Sequence, residues 1–362
     1  MSDFIQQQLP ALLDSIIEPH SGQSLLALES VSDIQYAEGQ LTLSVTLGYP
    51  CKEVEQELVE TLQNRLQEIV EVTAVDVQFG WQAPSNLISK DQPATSRIRN
   101  IIAVASGKGG VGKSTTTANL ALALAQLGAK VGVLDADIYG PSQATMLGIG
   151  VRQPEVRDQM TMLPHQSYGV SSMSMGYLVN EKTPMVWRGP MATGALKQLL
   201  FKTEWGQLDY LLIDMPPGTG DIQLTLSQSV PVSGAIVVTT PQDIALLDAG
   251  KAVEMFTKVN VPILGVVENM AVYQCSECGH KEHIFGAAGG GRIANHYQST
   301  LLGALPLARS IREYADNGKP TVVAEPDSEI AKQYRDIAQK AAVELWVQFY
   351  QNTVPDIMVS DD

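Results

Sequence analysis

Ten consecutive residues, Ser106-Gly107-Lys108-Gly109-Gly110-Val111-Gly112-Lys113-Ser114-Thr115, carry the chemistry that constrains this chain most. Their spacing satisfies G-x-x-x-x-G-K-[ST] from Gly107 to Ser114, between an apolar run at 101–105 and a helical pattern from Ala118 to Leu127. In such a loop the glycines let successive backbone N–H groups, here those of Gly109, Gly110, Val111 and Gly112, converge on phosphate oxygens. The following helix N-terminus adds partial positive charge, Lys113 reaches the β and γ oxygens, and the Ser114 hydroxyl is placed to hold Mg²⁺. ATP is the expected ligand.

Two acidic strand ends follow. In Leu134-Asp135-Ala136-Asp137-Ile138-Tyr139-Gly140-Pro141-Ser142 the carboxylates stand where an apolar run ends. Doubly wound sheets hold ligands at that end of their strands, which makes Asp137 the candidate for orienting the attacking water. Leu211-Leu212-Ile213-Asp214-Met215-Pro216-Pro217-Gly218-Thr219-Gly220-Asp221 is a second apolar strand ending in an acid. Asp214 is expected near Mg²⁺, and the Gly218 backbone is placed to sense the γ-phosphate. Alone, either acid reads as a cap; behind a phosphate loop the functional reading prevails.

Cys275-Ser276-Glu277-Cys278-Gly279-His280, with His283 close behind, is the second chemical centre. Two thiolates at this spacing bind one metal or two corners of an iron–sulfur cluster, yet a single C-x-x-C supplies only half of a four-thiolate shell. A thioredoxin-type redox pair is disfavoured, because such a pair opens a helix after a strand and this one lies in a turn-rich stretch. Two completions stay open. One is a zinc knuckle that recruits His280 or His283; the other is a homodimer whose facing pairs give four cysteines to one bridging cluster.

The 362 residues carry a net charge of −15, with no dense basic run, so the electrostatic footprint of a nucleic-acid binder is missing. No apolar stretch approaches the ~18–20 residues of a membrane span, and MSDFIQQQ has no signal-peptide character. The expectation is a cytoplasmic protein with neither nucleic acid nor membrane as partner. Three cysteines, Cys51, Cys275 and Cys278, are too few for a disulfide scaffold and fit a reducing compartment.

The elements that must position these groups form two domains. In residues 1–82, Leu9, Leu12, Leu13, Ile16 and Ile17 lie at helical spacing. Leu41, Leu43, Val45 and Leu47 alternate as a half-buried strand, Val54, Leu58, Leu62 and Leu66 mark a second helix, and Val75, Val77 and Phe79 a last strand. Residues 83–98, with Pro84, Pro93 and scattered charges, read as a linker. From 99 to 351, apolar runs at 101–105, 131–134, 210–213, 235–238, 263–267 and 301–305 alternate with helical segments. That pattern predicts an α/β fold, a mostly parallel sheet with helices on both faces, preceded by a small α/β domain. A final helix carrying Ile330, Tyr334, Ile337, Ala341 and Leu345 is expected to pack on the sheet, and 352–362 to form an acidic tail.

Lys108, directly after the first glycine of the loop, is unnecessary for cradling a subunit's own phosphates. With it the loop resembles the deviant Walker A pattern K-G-G-x-G-K-[ST] of the P-loop ATPases that include MinD, ParA and the nitrogenase iron protein. That resemblance implies a dimer in which Lys108 completes the partner's site, much as an arginine finger does. It also implies that Asn269, at a strand end where sequence alone reads a turn residue, hydrogen-bonds the adenine, and that Pro306 lies along the base. The loop, D-A-D-I-Y-G-P-S, D-M-P-P-G-T-G-D and the C-x-x-C after Asn269 together are similar to the Mrp (ApbC-type) iron–sulfur cluster carriers over residues 98–350. The N-terminal domain is similar to the iron–sulfur-assembly domain fused to bacterial members, including a cysteine where Cys51 stands; it departs in having His20-Ser21-Gly22 after Pro19, where an acidic residue is usual. This resemblance implies a weakly hydrolysing ATPase homodimer. Its cargo, held on Cys275 and Cys278, is a cluster expected to be [4Fe–4S], and its partners are apo-proteins and cluster scaffolds. A spatial-organising ATPase of the MinD or ParA kind and a zinc-bound regulatory ATPase are the alternatives.

Overall fold

The computed structural model describes residues 3–85, 95, 97–158, 160–178, 189–275 and 277–353. They belong to two units, Met1–Pro84 with Ala342–Asp362, and Ser85–Ala341. The expected linker and acidic tail lie largely outside the described residues.

In the first unit, α1 (Asp3–Ser15), β1 (Val31–Ala37), β2 (Gln40–Leu47), α2 (Glu55–Leu66) and β3 (Ala74–Trp81) build a three-stranded sheet in the order β1-β2-β3. β2 is antiparallel to β1 and parallel to β3. The alternation of β2 does what its period requires: Leu41, Leu43, Val45 and Leu47 are all buried, as are Leu58, Leu62 and Leu66 along α2. The first helix is shorter than its apolar spacing suggested. It ends at Ser15, and Ile17 is exposed in an isolated bridge to Ser24.

The second unit runs β4 (Ile98–Ala105), α3 (Lys113–Gln126), β5 (Val131–Asp135), α4 (Gln143–Met146), β6 (Val156–Arg157), β7 (Thr161–Met162), β8 (His165–Ser167), β9 (Val170–Ser174) and α5 (Gly189–Phe201). It continues with β10 (Leu208–Asp214), α6 (Asp221–Ser229), β11 (Gly234–Thr239), α7 (Asp243–Lys258), β12 (Ile263–Glu268), β13 (Tyr273–Gln274), β14 (Lys281–Glu282) and α8 (Gly289–His296). β15 (Leu301–Ala304), α9 (Arg309–Asp316), α10 (Thr321–Ala324) and α11 (Glu329–Thr353) complete the order.

Its main sheet has the order β15-β12-β11-β4-β10-β5-β9-β8, parallel except for β8, which is antiparallel to β9. Chain order reverses around β4, so the crevice for a ligand opens at the C-terminal ends of β4, β5 and β10. Every position of β5, β9 and β11 is buried, and α3 is buried at each residue from Thr116 to Leu124, as a central helix must be.

All six apolar runs form strands. β9 escaped that reading because its sequence, Val170-Ser171-Ser172-Met173-Ser174, is mostly hydroxyls; they are buried because each has a partner. Ser172 shares a 2.9 Å bond with the Tyr177 hydroxyl, Ser174 donates to Asp135 at 3.0 Å, and Ser171 accepts from Gln166 at 2.8 Å. The last helix also differs from expectation. Ile337 does meet the sheet, close enough that a Cβ at Gly303 would lie 2.6 Å from its Cγ1. From Ala342 on, however, the helix belongs to the first unit, where buried Trp346 packs on Tyr49 with ring centroids 5.6 Å apart.

Candidate functional site

The phosphate loop joins the end of β4 to the start of α3, and its geometry depends on Gly112. That residue caps α3 with φ 84°, and a Cβ there would lie 2.1 Å from Asn269 Nδ2, so the loop and Asn269 close on each other only across a glycine. Lys113 opens the helix and is 6% exposed. Its ammonium makes a short ion pair with Asp214 Oδ1 and lies 3.3 Å from the Ser114 hydroxyl. Asp214, at the end of β10, is fully buried; its other oxygen accepts from Gln143 Nε2 at 2.8 Å. Lys113, at the start of α3, and Asp214, at the end of β10, thus pair directly across the crevice.

Asp135 ends the neighbouring strand and is also fully buried. It accepts from the backbone N–H groups of Asp137 (3.1 Å), Ser142 (3.0 Å) and Gln143 (3.0 Å) and from the Ser174 hydroxyl (3.0 Å). Burial first, then the negative charge of Asp214, pushes its carboxyl above the ordinary range, with the Gln143, Ser174 and Asp137 donors opposing the shift. Asp137 is part-buried at the mouth of the same crevice and takes the Gly140 N–H at 3.3 Å. Burial raises it as well, while Lys113 pulls it down. Gln143 was not singled out from the sequence; a lone glutamine in a short helix gave no signal, yet it is fully buried and ties Asp214 to the Ser114 carbonyl at 2.9 Å.

Gly218 has φ 95° and donates its N–H to the Ser106 carbonyl at 3.0 Å, which fastens the turn after β10 to the phosphate loop. Lys108 points within its own subunit to Gln242 Oε1 at 3.3 Å, just before α7. Asn269, at the end of β12, donates to the Val111 carbonyl at 2.8 Å and receives support through its N–H from the Thr239 carbonyl at 2.7 Å. A cavity of about 210 Å³ opens beside it, lined among others by Gly112, Thr115, Asn269, Met270, Pro306 and Leu307. The two residues expected at the base, Asn269 and Pro306, therefore share one cavity that borders the phosphate loop.

The cysteine pair lies in the turn of the β13–β14 ribbon, where Tyr273 pairs with Glu282 and Gln274 with Lys281. Cys275 donates its N–H to the His280 carbonyl at 2.9 Å and accepts the Gly279 N–H on its own carbonyl at 2.9 Å. Its thiol is half-exposed and that of Cys278 exposed; backbone N–H groups of Cys278 and Glu277 favour the Cys275 thiolate and lower its pKa. His283 Nδ1 lies 2.7 Å from the Ala271 carbonyl. Among the described residues no group of three or more His, Cys, Asp or Glu is arranged to hold a metal.

Cys51, in the first unit, is buried, and burial followed by the nearby Glu55 and Glu18 charges pushes its thiol up to about 12. The residue before Pro19 is acidic. Glu18 is fully buried and accepts from the Ser21 N–H at 2.6 Å, the His20 N–H at 3.1 Å and the Tyr49 hydroxyl at 2.5 Å.

A parallel sheet with a glycine loop at its switch point, a lysine on the central helix and two strand-end acids defines a P-loop nucleoside triphosphatase. Residues 97–342 match the family described as NUBPL iron-transfer P-loop NTPase, and the chain belongs to that family. Residues 6–77 match a family described as iron-sulfur cluster assembly protein. Over 348 residues the chain is 47% identical to the iron-sulfur cluster carrier protein of Escherichia coli K12, covering 95% of this chain and 93% of the relative. A Pseudomonas fragi protein of the same description is 58% identical over 279 residues, 76% of this chain and 97% of the relative. Among solved structures, a nucleotide-binding protein of Archaeoglobus fulgidus in complex with ADP is similar at 35% identity and TM-score 0.58, covering 67% of this chain and 95% of that one. The Pyrococcus furiosus cell division ATPase MinD is similar at 26% identity and TM-score 0.51, covering 67% of this chain and 97% of that one.

Proposed function

We propose that this chain is an ATP-hydrolysing carrier that holds an iron–sulfur cluster, of the [4Fe–4S] type, between Cys275 and Cys278 of two subunits and delivers it to apo-proteins and scaffolds in the cytoplasm. The observation that carries this reading is the cysteine ribbon. Two accessible thiols supply half a cluster's ligands in a chain of the iron-transfer family, and a second copy supplies the other half.

ATP enters with its phosphates on the loop 107–115 and its base in the cavity of Asn269 and Pro306. Lys113 then exchanges its partner, leaving Asp214 for the β and γ oxygens. The donor set fits magnesium: Ser114 and Asp214 offer hard oxygens, and the buried Gln143 Oε1 and Ser142 Oγ have no hydrogen-bond partner among the described residues. Ser114 and Asp214 would hold the ion, which supplies neutralisation of phosphate charge when bound. Asp137, at the crevice mouth, orients the attacking water, and Gly218, bonded to Ser106, shifts when the γ-phosphate leaves.

Lys108 crosses to the nucleotide of a second copy. The adjoining face suits one: Ile244 and Leu247 on the first turns of α7 are 70% and 69% exposed, directly after the Gln242 that holds Lys108. With that lysine parked in its own subunit, hydrolysis is slow at rest. Anaerobic reconstitution with ferrous iron and sulfide, followed by incubation with an apo-protein that needs a cluster, tests the reading. A broad visible absorption band that moves to the acceptor supports it; a colourless, zinc-bearing protein overturns it in favour of the knuckle.

A further inference from the structure

The base cavity and the cysteine ribbon are parts of one hydrogen-bonded segment. β12 ends in Glu268, whose carbonyl accepts the Leu305 N–H at 2.8 Å; Asn269 and Met270 then line the cavity. Ala271 donates to the Leu305 carbonyl at 2.9 Å, and Leu307, another cavity residue, donates to the Val272 carbonyl at 2.9 Å. One residue later the ribbon begins. Met270, the cavity residue nearest the ribbon in sequence, is a non-glycine residue with φ 58°, a left-handed conformation that persists only where its surroundings fix it.

The outgoing strand of the ribbon is thus anchored by the 305–307 segment, but a ribbon of two residues per strand is too short to hold its own return strand. The return strand is fastened by His283, whose Nδ1 meets the Ala271 carbonyl at 2.7 Å. A carbonyl only accepts, so Nδ1 carries the hydrogen. We propose that His283 is a positioning residue: its imidazole clamps the cysteine ribbon to the strand end that lines the base cavity, so that a nucleotide base seated against Asn269 and Met270 orders the two thiols. The proposal rests on the carrier reading for the meaning of those thiols, but the clamp itself is a property of the backbone. By reciprocity, whatever binds the ordered ribbon tightens nucleotide binding by the same factor.

The test is hydrogen exchange followed by mass spectrometry on the full chain, reduced and anaerobic, with and without saturating magnesium ADP. In the wild type ADP slows exchange in peptides covering 271–283 by about fivefold or more, the lower end of typical coupling. His283→Ala, with unchanged protection in β4 and β10 as evidence of an intact fold, loses that ADP-dependent slowing. His283→Asn, whose side-chain amide presents a donor where Nδ1 stood, restores it. Wild-type ADP protection retained in His283→Ala, or a ribbon insensitive to ADP in the wild type, overturns the clamp. Cluster reconstitution is scored separately: a colourless protein with ADP-dependent ribbon protection sinks the carrier reading and keeps the clamp, whereas a coloured protein without that protection sinks the clamp alone.

Discussion

Replacing Lys113 by Ala tests the buried charge arrangement as well as catalysis. The ammonium is the cation paired with Asp214, and Asp135, equally buried, adds its own negative charge. Removing one partner of a buried pair costs about 3–5 kcal/mol. The penalty has a ceiling, because the stranded carboxyl can take up a proton: that costs ~1.36 kcal/mol for each pH unit above an ordinary value of about 3.9. The ceiling is roughly 5 kcal/mol at pH 7.5 and roughly 2 kcal/mol at pH 5.5. A carboxyl raised in the folded state contributes its stability at low pH and loses it as pH rises through the folded value, so the penalty grows with pH. Thermal unfolding of the second unit, recognised as the transition that magnesium ADP shifts in the wild type, should fall by roughly 6–20 °C at pH 7.5 and by roughly 4–8 °C at pH 5.5, at about 2–4 °C per kcal/mol. Asp214→Asn added to Lys113→Ala should recover most of the loss, and both variants should lack ATP hydrolysis. A Lys113→Ala penalty below about 1 kcal/mol at pH 7.5, or one independent of pH, would show that no buried carboxylate is stranded by the loss of Lys113.

Lys108→Ala should bind nucleotide and fail to hydrolyse it, and mixing it with Asp137→Ala should restore activity; mixed dimers that stay inactive remove the crossing role of Lys108. Gly48→Ala places a Cβ 2.0 Å from Trp346 Cδ1 and should destabilise the first unit by about 1–3 kcal/mol, read by urea unfolding, while ADP affinity is kept; a neutral effect contradicts the packing of α11 there. With iodoacetamide at pH 8, Cys275 and Cys278 should be alkylated while Cys51, buried and held as a thiol up to about 12, is spared; rapid labelling of Cys51 in the native protein contradicts its burial.

The chemistry of the second unit was legible because it depends on local spacing. The loop 107–115, the acids that end β5 and β10 and the C-x-x-C are contiguous words whose residue types have few other uses. What escaped depends on partners distant in sequence. Gln143 is only a glutamine until Asp214 and the Ser114 carbonyl converge on it, and the serines of β9 read as polar until Asp135 and Tyr177 satisfy them. Periodicity placed Leu345 and its neighbours on a helix, but a helical stripe does not say which core it faces, and Ala342 onward belongs with the first unit. Glu18 likewise acquires meaning only through Tyr49, which lies far along the chain. Asn269 and Pro306 were placed at the base by resemblance, and their common cavity is geometry that no spacing encodes.

A cluster shared by two subunits through Cys275 and Cys278 is the feature on which the proposed carrier function stands or falls. Iron and acid-labile sulfide, measured against protein on the reconstituted dimer fraction from anaerobic size exclusion, test it most directly. A shared cluster gives about four iron atoms per two chains for the wild type and for Cys51→Ala, and a colourless, iron-free but ATP-binding protein for Cys275→Ala or Cys278→Ala. A Cys275→Ala/Cys278→Ala variant that retains full iron, or a wild-type cluster that elutes with the monomer, would contradict it.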